Sequence, residues 1–354
     1  MKAQRPSARS RGISIPRSAS LCRNTKMIWS ALTRKCKRLA ETASRNIRQN
    51  IPTARTDKFG IRGAFVAPKK GQVTASGKIA AEDYLISCND FTGFELYTGI
   101  YHSRKFSSNS EFFKMASKGA NIHAVTALRM GILPKMVESE AQKLFIDEEW
   151  NKLKKLVKGL EGERIYTNAK NSNFGLFYGG SWKMFCGKLG IDYRDPKNEA
   201  YSKSLIKAWN AAWPEVRIYQ KGIIQEGYDQ GYIQTISGRR IHVADGLYFE
   251  HPDEQVQMKV RSHWERKCCN VPQATSADIV KEAMNAIERD PYFAENNAML
   301  LLQVHDEILN ETPTSKAQET LERVQYHMKA AFREELGFEI PVEGNSAENW
   351  KLAK

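Results

Sequence analysis

Apolar positions fall into blocks whose period changes along the chain. Residues 61–66 (IRGAFV) and 84–88 (YLISC) are short β-rich runs that predict strands, separated by a polar, glycine-containing stretch that predicts a loop or long hairpin. Helical periodicity dominates 111–160, with a break marked by Gly131 and Pro134. A further helix is predicted over 163–190, ending near Gly179-Gly180, and a long one over 201–229 carrying Trp209, Trp213 and Tyr219. Two β-type runs flank Ser237-Gly238, an amphipathic helix follows over 273–288, and the apolar strand 299–304 begins to return at 308–309. Strand-rich ends around a helical middle predict an α+β fold, not alternating βαβ units.

Composition changes this picture in one place. The 354 residues carry a net charge of +14, but residues 1–50 hold 13 Lys or Arg against one acid, Glu41. Taking these from 54 bases and 40 acids leaves 41 against 39, so the body is nearly neutral at +2. The basic head reads as a nucleic-acid-binding arm, an organellar transit peptide or a spurious start. No run approaches 18 apolar residues, so no membrane span is expected. The six cysteines show no CxxC pair and no spaced Cys/His cluster. A zinc site or disulfide framework is therefore not expected, and the chain reads as reduced and intracellular.

Three segments carry candidate chemistry. LLLQVHDEILNE places His305, Asp306 and Glu307 at the tip of an apolar hairpin, where acids are costly unless they bind a cation or hydrogen-bond donors; a solvated acidic turn is the plain alternative. SCNDFTGFELY runs a strand into Asp90, with Glu95 five residues on. In NAKNSNFGLFYGG, Lys170, Phe174 and Tyr178 share one helical face at i, i+4 and i+8. That face can bind phosphate and stack a base or sugar, or it is an aromatic core stripe with a snorkelling lysine.

In this order, strand-Asp, Lys/Phe/Tyr helix and strand-His-Asp-Glu resemble the A, B and C motifs of the DNA polymerase I-like (family A) polymerases, the phage-type members above all. Further segments resemble the family over about residues 49–354: QNIP (49–52), IRGAF (61–65), ANIHAVTA (120–127), TISGRR (235–240) and QATSADIVKEAM (273–284).

The resemblance implies a right-hand architecture with an antiparallel palm sheet and helical fingers. Residues 1–48 would form a basic head, 49–125 the first part of the palm, 126–232 the fingers and 233–354 the second part of the palm. It implies nucleotidyl transfer from a dNTP to a primer 3′-hydroxyl on primer-template DNA, with two Mg²⁺ ions. Asp90, Asp306 and the Phe91 carbonyl would hold the metals, with Glu307 in support. Lys170 would hold the triphosphate and protonate the leaving pyrophosphate, and His123 would add a phosphate contact. Phe174 and Tyr178 would pack the nucleotide, and Glu95 would close the pocket under the sugar C2′. His305, Gln273 and Arg239 would contact primer or template. Cytoplasmic location, in the host cell if phage-encoded, is the matching expectation.

The sequence also departs from the family pattern. Tyr166 stands where an Arg is usual, four residues before Lys170, and Arg164 lies about 120° away round the helix. Gly93 and Tyr97 replace the usual Gln and Arg after Asp90. The resemblance does not extend to the family's thumb or 3′–5′ exonuclease, so a separate chain supplying them is one expectation. A single-subunit RNA polymerase and a fragment that binds primer-template without turnover remain the other readings.

Overall fold

The computed structural model describes Asp57, residues 60–107 and residues 110–354. The basic head and residues 49–52 lie outside them; the described residues belong to one unit, Thr53–Lys354. A 3-10 turn, Arg62–Ala64, comes first; others are Leu160–Glu163 and Thr314–Lys316. Strand β1 spans Tyr84–Phe91 and leads into helix α1, Phe94–Arg104. The middle of the chain is helical: α2 (Glu111–Ser117), α3 (Ile122–Arg129), α4 (Lys135–Ile146), α5 (Trp150–Gly159) and α6 (Arg164–Phe177), then α7 (Trp182–Leu189), α8 (Pro196–Ala212) and α9 (Pro214–Gln230). A hairpin of β2 (Tyr232–Gln234) and β3 (Arg240–His242) follows. Next come α10 (Ala244–Leu247), α11 (Glu254–Cys269), α12 (Val271–Arg289) and α13 (Pro291–Glu295). Strands β4 (Met299–Val304) and β5 (Glu307–Pro313) precede α14 (Ala317–Ala330) and α15 (Arg333–Leu336). Strand β6 (Val342–Ala347) and the short helix α16 (Trp350–Ala353) complete the described elements.

Four strands form one sheet in the order β4-β5-β1-β6, and every neighbouring pair is antiparallel. This is an α+β fold, as the pattern predicts. The two central strands come from opposite ends of the chain, and their register sets Asp90 opposite Glu307. Side chains alternate across a strand, so Ile86, Cys88 and Asp90 share one face while Ser87 and Asn89 take the other. Beneath the second face, Thr312 on β5 meets Thr320 on α14 (3.0 Å) and Ser87 meets Ser346 (2.8 Å). Helices α1 and α12 are joined by Thr98–Ser276 (3.0 Å) and His102–Thr275 (2.7 Å) hydrogen bonds. Burial pushes the His102 pKa down to about 3, so this contact is made by a neutral ring.

Several predicted elements differ. The strand predicted at 61–66 is a 3-10 turn, and only Val66 bridges, to Asn349. Asp57 explains the difference: its carboxylate accepts from the N–H groups of Ile61 (2.8 Å) and Arg62 (2.8 Å), capping a helical start. The long helix predicted over 201–229 is two helices broken at Trp213-Pro214. The residue before a proline is forced out of the helical region, and Trp213 sits at φ −135°, ψ 65°. The helix predicted over 163–190 ends at Phe177, just before Gly179-Gly180 as expected, and a separate helix runs from Trp182. Gly180 lies so close to the Gly175 carbonyl that an added Cβ would sit 2.4 Å from it. Helix α12 starts two residues before the predicted one, and α11 ahead of it has no counterpart in the pattern. The hairpin at 299–309 and the paired runs around Gly238 form as predicted.

Candidate active site

Asp90 and Asp306, 216 residues apart in sequence, meet where β1 leaves the sheet and β4 turns into β5. The Phe91 N–H donates to the Asp306 carbonyl (3.4 Å), and the Phe91 ring stacks on Phe94 at 4.2 Å, which fixes the strand end against α1. The turn itself is His305-Asp306. His305 is exposed in the left-handed region (φ 55°), and its carbonyl accepts from the Gln303 side chain. Glu307, predicted at the tip, is instead the first residue of β5 and is buried.

The three acids are in opposite electrostatic states. Burial, and then the neighbouring charge of Asp90, raise the Asp306 pKa to about 6. Burial also raises Asp90, against the pull of Lys354, and its Oδ1 is buried without a hydrogen-bond partner. For Glu307 burial again opposes charge, but hydrogen bonds from Arg62 and Lys354 outweigh it and hold the pKa low. The buried Arg62 guanidinium reaches Glu307 at 2.9 and 3.2 Å, and Trp350 Nε1 donates to the same carboxylate at 3.2 Å. The Trp350 ring lies 4.2 Å from the guanidinium carbon. Lys354 Nζ bridges Glu307 Oε1 (2.7 Å) and Asp90 Oδ2 (2.5 Å). Arg62, Trp350 and Lys354 were not singled out by sequence reasoning. Arg62 lies inside a recognised segment, IRGAF, but nothing in its local pattern marks an arginine that is buried 245 residues from its acid.

A hard cation suits this place. Two desolvated carboxylates lie close enough for their charges to interact, one with an orphaned buried oxygen and one whose charged form is disfavoured; oxygen ligands are what Mg²⁺ prefers. Asp90 and Asp306 fit as ligands. Glu307 is already satisfied by Arg62, Trp350 and Lys354, and so holds the site's frame.

The helix α6 stripe lies apart from the acids along the chain but is tied to them through Glu95. Tyr178, just past the helix end, donates its hydroxyl to Glu95 Oε2 (3.1 Å), and Gln273 donates to Glu95 Oε1 (3.2 Å). Glu95 sits in the first turn of α1, so it joins the strand bearing Asp90 to both α6 and α12. Gly93 begins that turn at φ 67°, a conformation strained for any side chain, which accounts for a glycine there. Tyr97 is buried and meets Phe338 at 5.6 Å.

Lys170 is exposed, with Nζ 5.9 Å from the Phe174 ring centre. His123 lies behind, 5.5 Å from Phe174 and 5.7 Å from Tyr166. Asn173 accepts from Trp209 (2.8 Å) and Thr126 (3.1 Å), which turns its amide nitrogen to His123 Nδ1 (3.0 Å). Nδ1 therefore accepts, and burial pushes the His123 pKa down to about 3. The phosphate contact expected of His123 would therefore be made by a neutral ring whose proton sits on Nε2. Tyr166, in place of the usual Arg, has Lys158 Nζ 5.3 Å over its ring, and Arg164 pairs outward with Glu161 at 3.2 Å. Arg239, expected against DNA, locks the β2–β3 turn onto α12: its Nε and Nη2 donate to Asp278 at 3.0 and 2.8 Å, beside a Ser237–Asp278 bond of 2.7 Å.

Among the described residues no helix is long and apolar enough to cross a membrane, and Cys88, Cys186, Cys268 and Cys269 are buried free thiols. Burial pushes Cys88, Cys268 and Cys269 up to about 12, so they are unreactive at neutral pH.

Thermostable DNA polymerase I of Thermus filiformis is 29% identical over 309 residues, covering 86% of this chain and 30% of the relative. DNA polymerase I of Lactococcus lactis subsp. cremoris is 28% identical over 308 residues, with 86% and 29% coverage. The chain thus spans about three-tenths of the length of these relatives. The fold is shared with the POL domain of Pol1 from M. smegmatis, solved in complex with DNA primer-template and dNTP: TM-score 0.63, 24% identity, covering 86% of this chain and 44% of that one. The profile described as DNA polymerase family A matches residues 155–352, more than half of the sequence, and the chain belongs to that family.

Proposed function

We propose that this chain is the catalytic core of a template-directed DNA polymerase, transferring a nucleotidyl group from a dNTP to a primer 3′-hydroxyl. The observation that carries the reading is the pair of desolvated carboxylates, Asp90 and Asp306, brought together at the end of β1 and the β4–β5 turn beside it, with one buried oxygen unsatisfied. Asp90 and Asp306 would hold Mg²⁺, with the Phe91 carbonyl beside them. When bound, such ions supply charge neutralisation at the attacking and leaving oxygens. Around them the chain's own groups divide the work. Arg62, Trp350 and Glu307 fix the strand end, so the two aspartates cannot swing apart. Lys170 presents an exposed ammonium to the triphosphate and can pass a proton to the departing pyrophosphate. Phe174 offers a half-buried ring for stacking, and Tyr178, held by Glu95, floors the sugar pocket. Glu95 opposes a 2′-hydroxyl sterically, which selects dNTPs.

On this reading β1, β4, β5 and β6 are the palm and the α4–α9 region is the fingers. Gln273 and His305, both exposed, are the residues on this side for primer or template. Sustained grip on the duplex is proposed to come from segments outside these residues, in the same or a separate polypeptide. Primer extension by the purified chain with Mg²⁺ tests the reading. Incorporation of dNTPs, lost in Asp90→Asn, is expected. Equal use of rNTPs would favour the RNA polymerase reading, and DNA binding without extension the inert one.

A further inference from the structure

The carboxylate site already contains a cation of the protein's own. Lys354 Nζ lies 2.5 Å from Asp90 Oδ2 and 2.7 Å from Glu307 Oε1, with a quarter of its side chain exposed. A rigid mount carries it there. Trp350 of α16 is fully buried, its backbone N–H donates to the Phe65 carbonyl (3.1 Å), and its indole is fixed between Glu307 and Arg62. The two acids depend on Lys354 unequally. Glu307 has Arg62 and Trp350 as well. Among the described residues, Lys354 makes the one hydrogen bond to the Asp90 carboxylate, whose other oxygen is unpartnered.

We propose that Lys354 is a resident counter-ion of Asp90 that a divalent cation must displace, so that it sets the metal concentration at which the site fills. The proposal rests on Asp90 and Asp306 being metal ligands. A divalent ion bound at about 2.1 Å from Asp90 Oδ2 would share that oxygen with an ammonium, leaving two cations a few ångströms apart. Their repulsion is large in a partly desolvated site. The lysine can leave, because its four-carbon stem is flexible and its head already reaches solvent. In the metal-free protein the same ammonium offsets the repulsion between Asp90 and Asp306, which keeps the site formed before metal arrives.

Binding of Mn²⁺ to the full chain, followed by the loss of its free-ion EPR signal, tests this directly. Lys354→Met keeps the stem and removes the charge; it should bind Mn²⁺ roughly tenfold more tightly than wild type. Lys354→Arg retains the charge and should stay near wild type. In thermal melts Lys354→Met should unfold earlier in EDTA and gain more from Mn²⁺ than wild type does. Lys354→Gln repeats both measurements should the Met variant fold poorly. Unchanged or weaker Mn²⁺ binding by a folded Lys354→Met or Lys354→Gln overturns the proposal, since the lysine would then be supporting the ligands. Absence of Mn²⁺ binding in wild type and variants alike overturns the metal reading itself, and the proposal with it.

Discussion

The strand end bearing Asp90, Asp306 and Glu307 and the helix face bearing Lys170, Phe174 and Tyr178 face the same chemistry with opposite means. At the strand end, three carboxylates, a guanidinium and an ammonium are drawn into a partly dry pocket, and two of the acids are paired: Glu307 by Arg62 and Trp350, Asp90 by Lys354. On the helix face only Lys170 is charged, it reaches into solvent, and the polar atoms behind it are neutral, His123 included. Charges in low dielectric are strong and unforgiving, so the first region must be rigid. The second can adapt to a ligand because little is lost when its groups move. The lesson is that adjacent acids, Asp306 and Glu307, have been assigned to different tasks by their surroundings: one is left unpaired and its pKa rises, the other is paired and its pKa falls.

The largest expected effect is on chemistry. Asp90→Asn and Asp306→Asn should each lower single-nucleotide addition by about a thousandfold or more, because removal of a ligand forfeits several kcal/mol of charge stabilisation. Both variants should fold. Near-wild-type extension by either would erase the contrast between the two regions.

Glu307→Ala should do the reverse, affecting the fold before the chemistry. It removes the acid that accepts from both the buried Arg62 guanidinium and Trp350, which costs about 3–5 kcal/mol in urea unfolding. A loss under 1 kcal/mol would mean that the ion pair is not the frame of the site.

Asp306 gives the comparison a pH signature in metal-free buffer. Its carboxyl keeps a proton up to about pH 6 when folded, whereas the unfolded chain releases it near the ordinary value of about 4. Between those values the folded state binds more protons, so stability falls as pH rises and the loss is complete above about 6. Relative to wild type, Asp306→Asn should be level at pH 4 and more stable at pH 8, by about 1–2 kcal/mol once partial solvent screening is allowed for. Melting curves at the two pH values decide it.

Smaller effects belong to the helix face. Lys170→Ala should weaken dNTP binding about tenfold while changing stability by less than about 0.5 kcal/mol, since the side chain is exposed. Glu95→Ala should raise ribonucleotide use a few-fold and cost about 1 kcal/mol through the orphaned Tyr178 hydroxyl. An unchanged rNTP/dNTP ratio would take Glu95 out of the sugar pocket.

The same contrast explains what the sequence could show. The Lys170–Phe174–Tyr178 stripe is legible because helical spacing is local; three residues four apart must share a face. Asp90 and Asp306 are visible as acids ending apolar runs, and their pairing follows once both strands are assigned to one sheet. Arg62 and Lys354 leave no such trace. Each is defined by a partner more than 240 residues away, and an arginine in a β-rich run or a lysine after a tryptophan looks like ordinary surface. Arg239 shows what local sequence omits: the TISGRR resemblance places it towards DNA but gives no sign that Asp278, buried on a neighbouring helix, pairs with its half-exposed guanidinium. The helix break at Trp213-Pro214 could have been anticipated from the proline alone.

The central claim is that Asp90 and Asp306, not Glu307, are the metal ligands of this chain. A crystal of the wild-type protein with Mn²⁺, primer-template and a non-reactive dNTP analogue, examined by anomalous difference density, addresses it in one measurement. The account expects peaks between the Asp90 and Asp306 carboxylates, each about 2.1 Å from an aspartate oxygen, with Lys354 Nζ moved off Asp90 and Glu307 still bonded to Arg62. A peak ligated by Glu307 with Arg62 displaced, or no peak at the aspartates, would contradict it.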